Sequence, residues 1–265
     1  SDLMQRKGGT GAPEKYPRPL PVTALAFGAD AATCFTGGYH ELLEWSMADA
    51  KLIRRIPGLP ERILAVSVQK DGDNIAVAGG TPGRSGEALI ISRKTGAVTK
   101  KLAGAKDTFL AAGFSPDGAL LAFGGTDNTV RVFRCADWKQ LWKAEAHADW
   151  VMALAFSPDG RQLASASRDR TARVFDAAKG GILFTYVEHQ SAVLAAVFDS
   201  GGETVITGAA DGDLRRWTWQ DAAPASKDKE DSKEKKRPKT VVLKGRRQEV
   251  TTLAASGARL FAASS

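Results

Sequence analysis

The stretch from His147 to Asp176, HADWVMALAFSPDGRQLASASRDRTARVFD, decides how the chain is read. An apolar run ends at Phe156 and is followed by the turn Ser157-Pro158-Asp159-Gly160. A second apolar run surrounds Leu163, a polar corner follows at Ser167-Arg168-Asp169-Arg170, and a short strand closes on Val174-Phe175. Breakers this close together leave no room for a useful helix, so the stretch predicts three short antiparallel strands.

The same pattern recurs along the chain. Phe114, Phe156 and Phe198 fall 42 residues apart, and earlier copies sit at Phe27 (VTALAF) and Val68 (ILAVSV). A last copy opens at Val250. A further strand precedes each later copy: Lys51–Ile56, Val98–Leu102, Gln140–Lys143, Ile182–Val187 and Thr240–Leu243. Four strands per unit of this length match one blade of a β-propeller.

These residues resemble the WD-repeat family. Its full motif has Gly-His before the first strand, Asp in the turn after the second, and Trp-Asp ending the third. The fifth unit carries His189, Thr207, Asp211 and Trp217, with Glu188 where Gly is usual. The fourth carries His147, Ser165, Asp169 and Phe175-Asp176, with Ala146 in place of Gly. The third and sixth, at Gly104-Ala105 and Gly245-Arg246, lack the histidine, and His40 or a neighbour stands where the first should have Asp. The resemblance implies an all-β propeller of four-stranded blades, about five and a half of them over residues 21–265. A half blade cannot close a ring comfortably, so the expectation is a truncated seven-bladed ring continuing for one to two units. It also implies that His, Ser or Thr, Asp and Trp form a buried hydrogen-bond relay bracing each blade.

Outside the repeats the composition shifts. Residues 1–20 are polar and turn-rich, with alternating prolines that suit an extended arm or linker; part of it, near Tyr16, could instead pair with the last blade. Residues 220–239 mix both charges and have almost no apolar content, which predicts a disordered insertion between two strands of the fifth blade. The Gly-rich segment Thr81–Gly86 lacks the Gly-Lys-Ser/Thr of a phosphate loop and reads as a lengthened hairpin loop. Cys34 and Cys135 fall in different blades and read as small buried hydrophobes rather than a disulfide. No apolar run is long enough to span a membrane, and no signal peptide stands at Ser1. The absence of an initiator Met there suggests a processed chain or a piece of a longer one.

Catalytic readings are set aside. His189, Thr207 and Asp211 contain the residue types of a Ser-His-Asp hydrolase, but the pattern repeats in adjacent blades, which a unique active site would not do. We expect no enzyme activity, no cofactor and no metal, since His40, His147 and His189 fall in three different blades. GYHELLEW (residues 38–45), AGGTPGRSGE (residues 78–87) and the opening stretch also resemble bacterial WD-repeat proteins whose propeller follows a c-type cytochrome domain. That resemblance implies an upstream haem domain in the same polypeptide and a periplasmic or exported location.

What remains is the surface. The register sets Arg62, Thr108, Trp150, Ala192 and Glu249 just before the first-strand anchors, with Tyr39, Thr126, Arg168 and Ala210 before the Asp position. In a propeller these two sets gather on one rim, where protein partners dock. Arg62, Thr108, Thr126, Trp150 and Arg168 are the candidate contacts, with Trp150 and Arg168 foremost because Trp and Arg dominate binding hot spots. Trp150 could instead pack between blades. The formal charge of +7 is scattered over blades and insertion, so no specific nucleic-acid binding is expected.

Overall fold

The structure is a computed structural model and describes residues 21–220, 239–244, 249–256 and 259–264. The predicted arm at residues 1–20, and the charged insertion except for its end residues, lie outside the described residues. Among the described residues there are strands and turns but no helix, hence none long and apolar enough to cross a membrane.

The strands fall into successive antiparallel units. The first contains β1 (Ala24–Phe27), β2 (Thr33–Gly37), β3 (Tyr39–Ser46) and the first part of β4 (Leu52–Val68). The second contains the rest of β4, β5 (Asn74–Thr81), β6 (Ser85–Ser92) and β7 (Val98–Ala105). The third is β8 (Phe109–Phe114), β9 (Leu120–Gly125), β10 (Val130–Arg134) and β11 (Lys139–Ala144). The fourth is β12 (Val151–Phe156), β13 (Gln162–Ser167), β14 (Ala172–Asp176) and β15 (Ile182–Tyr186). The fifth is β16 (Val193–Phe198), β17 (Thr204–Ala209), β18 (Asp213–Thr218) and β19 (Thr240–Lys244). A final pair, β20 (Val250–Ser256) and β21 (Arg259–Ser264), opens a sixth.

First strands of successive units touch in series, from β1 to β4, β8, β12, β16 and β20. This is the arrangement of propeller blades, and it places the core between blades. Five apolar clusters each join two neighbouring units. In one, Trp142 on β11 stacks on Phe175 of the next blade at 5.7 Å; in another, Tyr186 on β15 stacks on Trp217 at 4.7 Å. Phe133, Phe175 and Trp217 are buried, whereas Trp45 is half-buried and donates its indole N–H to Thr36 Oγ1.

The turns follow the side-chain chemistry. Ser115 and Ser157 hydroxyls donate to Asp117 and Asp159 at 2.5 and 2.6 Å, and Gly118 and Gly160 take left-handed φ of +70° and +72°. One expectation is corrected. A strand ending at Ile56 and a new one near Ile63 were anticipated, yet β4 runs through Pro57-Gly58-Leu59-Pro60. Its front half pairs with β3 and its back half with β5, so two blades share one strand, and the ladder skips Gly58–Glu61, where Pro60 cannot donate. The Gly-rich segment is a tight hairpin with Thr81 opposite Ser85. Both cysteines are free, and burial pushes the Cys135 thiol up to about 12.

Candidate functional site

The blade corners hold the chemistry. In the third, fourth and fifth blades, the residue before the first strand and the residue after the second share a backbone hydrogen bond: Thr126 N–H donates to Thr108 O (3.0 Å), Arg168 to Trp150 (3.0 Å) and Ala210 to Ala192 (2.9 Å). In these three blades the two sets of rim residues are therefore bonded partners.

In the fourth blade, His147 Nδ1 lies 2.9 Å from Asp169 Oδ2, and Nε2 lies 2.7 Å from Ser165 Oγ. A carboxylate only accepts, so Nδ1 carries the proton. Burial works to raise the Asp169 pKa, but hydrogen bonds from His147, Thr171 and the Ala148 N–H outweigh it and hold the carboxyl well below the usual range. The connectivity is that of a Ser-His-Asp triad. Ser165, however, is wholly buried, and an unreachable hydroxyl cannot serve as a nucleophile. Phe175 stands where the fifth blade has Trp217, so no indole N–H is available and this relay stops at Ser165.

The fifth blade has the complementary half. Trp217 Nε1–H donates to Thr207 Oγ1 (3.1 Å), which lies 2.7 Å from His189 Nε2. Asp211 does not join them: its carboxylate accepts from the Asp213 N–H, and His189 Nδ1 is buried without a hydrogen-bond partner among the described residues. Burial pushes the His189 pKa down to about 4, Arg215 adds to the shift, and Asp211 opposes it through space. The expectation that all four residue types form one relay is thus corrected for Asp211.

On the rim, Trp150 is 38% exposed and belongs to none of the core clusters, so it does not pack between blades. The Arg168 guanidinium sits over its ring at 4.3 Å and approaches Asp149 at 3.7 Å. Arg62 is exposed on β4. Thr108 is corrected: it is only 3% exposed, and its hydroxyl turns to Asp107. Thr126 is half-buried and donates its hydroxyl to Thr108 O, which leaves it little freedom to contact a partner.

Sequence reasoning passed over a second arginine feature. Arg131, Arg173 and Arg215 are 42 residues apart, a signal as plain as the phenylalanine period. Four buried polar side-chain atoms lack partners among the described residues, namely Asn128 Oδ1, Arg173 Nε, His189 Nδ1 and Arg215 Nε, and all four belong to these corners. Elsewhere, a cleft of about 460 Å³ lined by Glu44, Asp71, Asp73, Arg93 and Lys94 contains charges that satisfy local partners, including Glu44 with Arg54 and Asp73 with Ser92. Among the described residues no three His, Cys, Asp or Glu side chains gather to hold a metal.

Residues 112–201 match the family model of the WD40 domain of anaphase-promoting complex subunit 4, and over that stretch the chain is similar to WD40 domains. A comparison with curated proteins gave no match.

Proposed function

We propose that residues 21–265 form one non-catalytic module that presents its rim to protein partners. The observation that carries this reading is the Trp150–Arg168 pair, a half-exposed indole under a guanidinium, with the two residues tied by a backbone hydrogen bond. Such a pair offers a large contact area and directional donors at little ordering cost, the combination from which hot spots are built. The likeness to WD40 domains supports an interaction role, and the burial of Ser165 argues against hydrolysis at the His147 relay. The haem domain implied by the cytochrome resemblance would lie outside these residues, and no feature of the described blades carries that reading.

The test compares Trp150→Ala/Arg168→Ala with Val98→Ser, an exposed position on β7, in affinity capture from the native extract. The rim variant should lose partners held by the unaltered chain while keeping its melting temperature, and the β7 variant should retain them. Full retention by the rim variant would overturn the proposal.

A further inference from the structure

Arg131, Arg173 and Arg215, at equivalent places on β10, β14 and β18, differ in what neutralises them. Each lies opposite a second-strand residue, Phe123, Ser165 or Thr207, so its side chain leaves the same sheet face as that residue. In the third blade Ala105 stands at the histidine position, and Asp127 pairs with Arg131 at 2.5 Å. In the fifth, Arg215 keeps Asp213 at 3.7 Å and interacts with the Tyr186 hydroxyl. In the fourth, His147 claims Asp169. Arg173 then has no ion pair or hydrogen bond from its guanidinium to any described residue, and its Nε is buried.

Two more cations stand on the turn leading into β14. Arg168 is exposed with only Asp149 nearby, and Arg170 is exposed with no carboxylate partner among the described residues. Arg170 also adopts a left-handed φ of +69°, at the place where the third and fifth blades use Asn128 and Gly212. An arginine there is strained by roughly 1–2 kcal/mol relative to glycine.

We propose that this corner of the fourth blade receives an acidic peptide segment of a protein partner. The segment's carboxylates set against Arg168, Arg170 and Arg173, and a neighbouring apolar side chain rests on the exposed part of Trp150. The proposal rests on the rim reading above and adds the partner's chemistry. Paired guanidinium donors match a carboxylate fork, and the partner supplies the negative charge that His147 has taken from Arg173. A peptide fits better than a nucleic acid because the basic patch is confined to one corner. A continuous phosphate backbone would run on past Asp127 of the third blade and Asp211 of the fifth, and Trp150 alone offers no ladder of stacking aromatics.

The probe is a fluorescein-labelled peptide of alternating Glu and Leu, compared with its Gln-for-Glu twin by fluorescence anisotropy. The acidic peptide should bind at least about tenfold more tightly than the twin and weaken several-fold from about 50 to about 200 mM salt. Arg170→Glu, at an exposed turn position, should weaken binding about tenfold with an unchanged melting temperature, and Arg173→Gln should weaken it comparably. Arg161→Glu, at the opposite end of β13, should leave binding unchanged. Equal binding of the twin, or unchanged binding by Arg170→Glu, overturns the proposal; so does a single-stranded oligonucleotide that binds this corner more tightly than the peptide. If the acidic peptide fails while Trp150→Ala/Arg168→Ala still removes the native partner, the acidic chemistry falls and the rim reading stands.

Discussion

Thr171 gives both its N–H and its hydroxyl to Asp169 Oδ1, at 2.9 and 2.7 Å, which aims the other carboxylate oxygen at His147. Asp213 holds the equivalent place in the fifth blade. It offers Asp211 only an N–H and adds a like charge two residues away, so the carboxylate is not steered onto His189. The residue types of both relays were legible in the sequence, but their closure was not, because it turns on a neighbour outside the motif. The open relay has a consequence for acid stability. The His189 pKa is lowered when folded, so the unfolded chain takes the proton first. Stability contributed by the neutral ring is complete above about pH 6.5 and is lost as pH falls towards about 4, to the extent of about 3 kcal/mol. Asp213→Thr should let Asp211 reach Nδ1, adding about 1 kcal/mol at neutral pH and shrinking the acid loss. Urea unfolding midpoints measured from pH 7 to pH 4 would check this; an unchanged acid slope in the variant would mean that Asp211 is kept away by something other than Asp213.

Blades dock through a repeated knob and seat. Phe109, Val151, Val193 and Val250 open successive first strands, Ile63 holds the equivalent place within β4, and all five are buried. Ile63, Val151 and Val250 press on Gly37, Gly124 and Gly208 at the ends of preceding second strands, while Phe109 and Val193 share clusters with Ala78 and Ala166. The strands and their period could be read from the sequence, and so could burial between blades. The seat could not, because a glycine beside a polar corner reads as a turn residue until the next blade is seen against it. A Cβ added at Gly124 would meet Val151 Cγ1 at 2.6 Å and Cβ at 3.1 Å, and valine has little rotamer freedom with which to yield. Gly124→Ala should therefore cost about 1–3 kcal/mol. Combining it with Val151→Ala should cost less than the sum of the two by more than about 0.5 kcal/mol, because the second change removes the atoms in collision. Additive unfolding energies would show that the junction relaxes by moving whole blades instead.

At the scale of the molecule, each blade is stabilised chiefly by its neighbours, so stability follows a nearest-neighbour chain rather than one central core. Along that chain the coverage of equivalent positions is unequal. Val22, Leu25 and Phe27 are 62%, 57% and 55% exposed, whereas their register counterparts in the fifth blade, Val193, Ala196 and Phe198, are all buried. No periodicity argument foresees this, since a repeat pattern assigns every copy the same environment. Opening β1 uncovers less apolar surface than opening β13, which has blades on both sides, so local unfolding should be easiest at the first blade. Native-state hydrogen exchange on the 265-residue chain should give a graded profile, with amides of β9, β13 and β17 slowest and those of β1 fastest among the strands of the first five blades. A point substitution at the Gly124–Val151 seat should then accelerate exchange in the third and fourth blades more than in the first. Uniform exchange across all five blades, falling together in that variant, would show instead that interfaces couple the blades strongly enough to unfold as one unit.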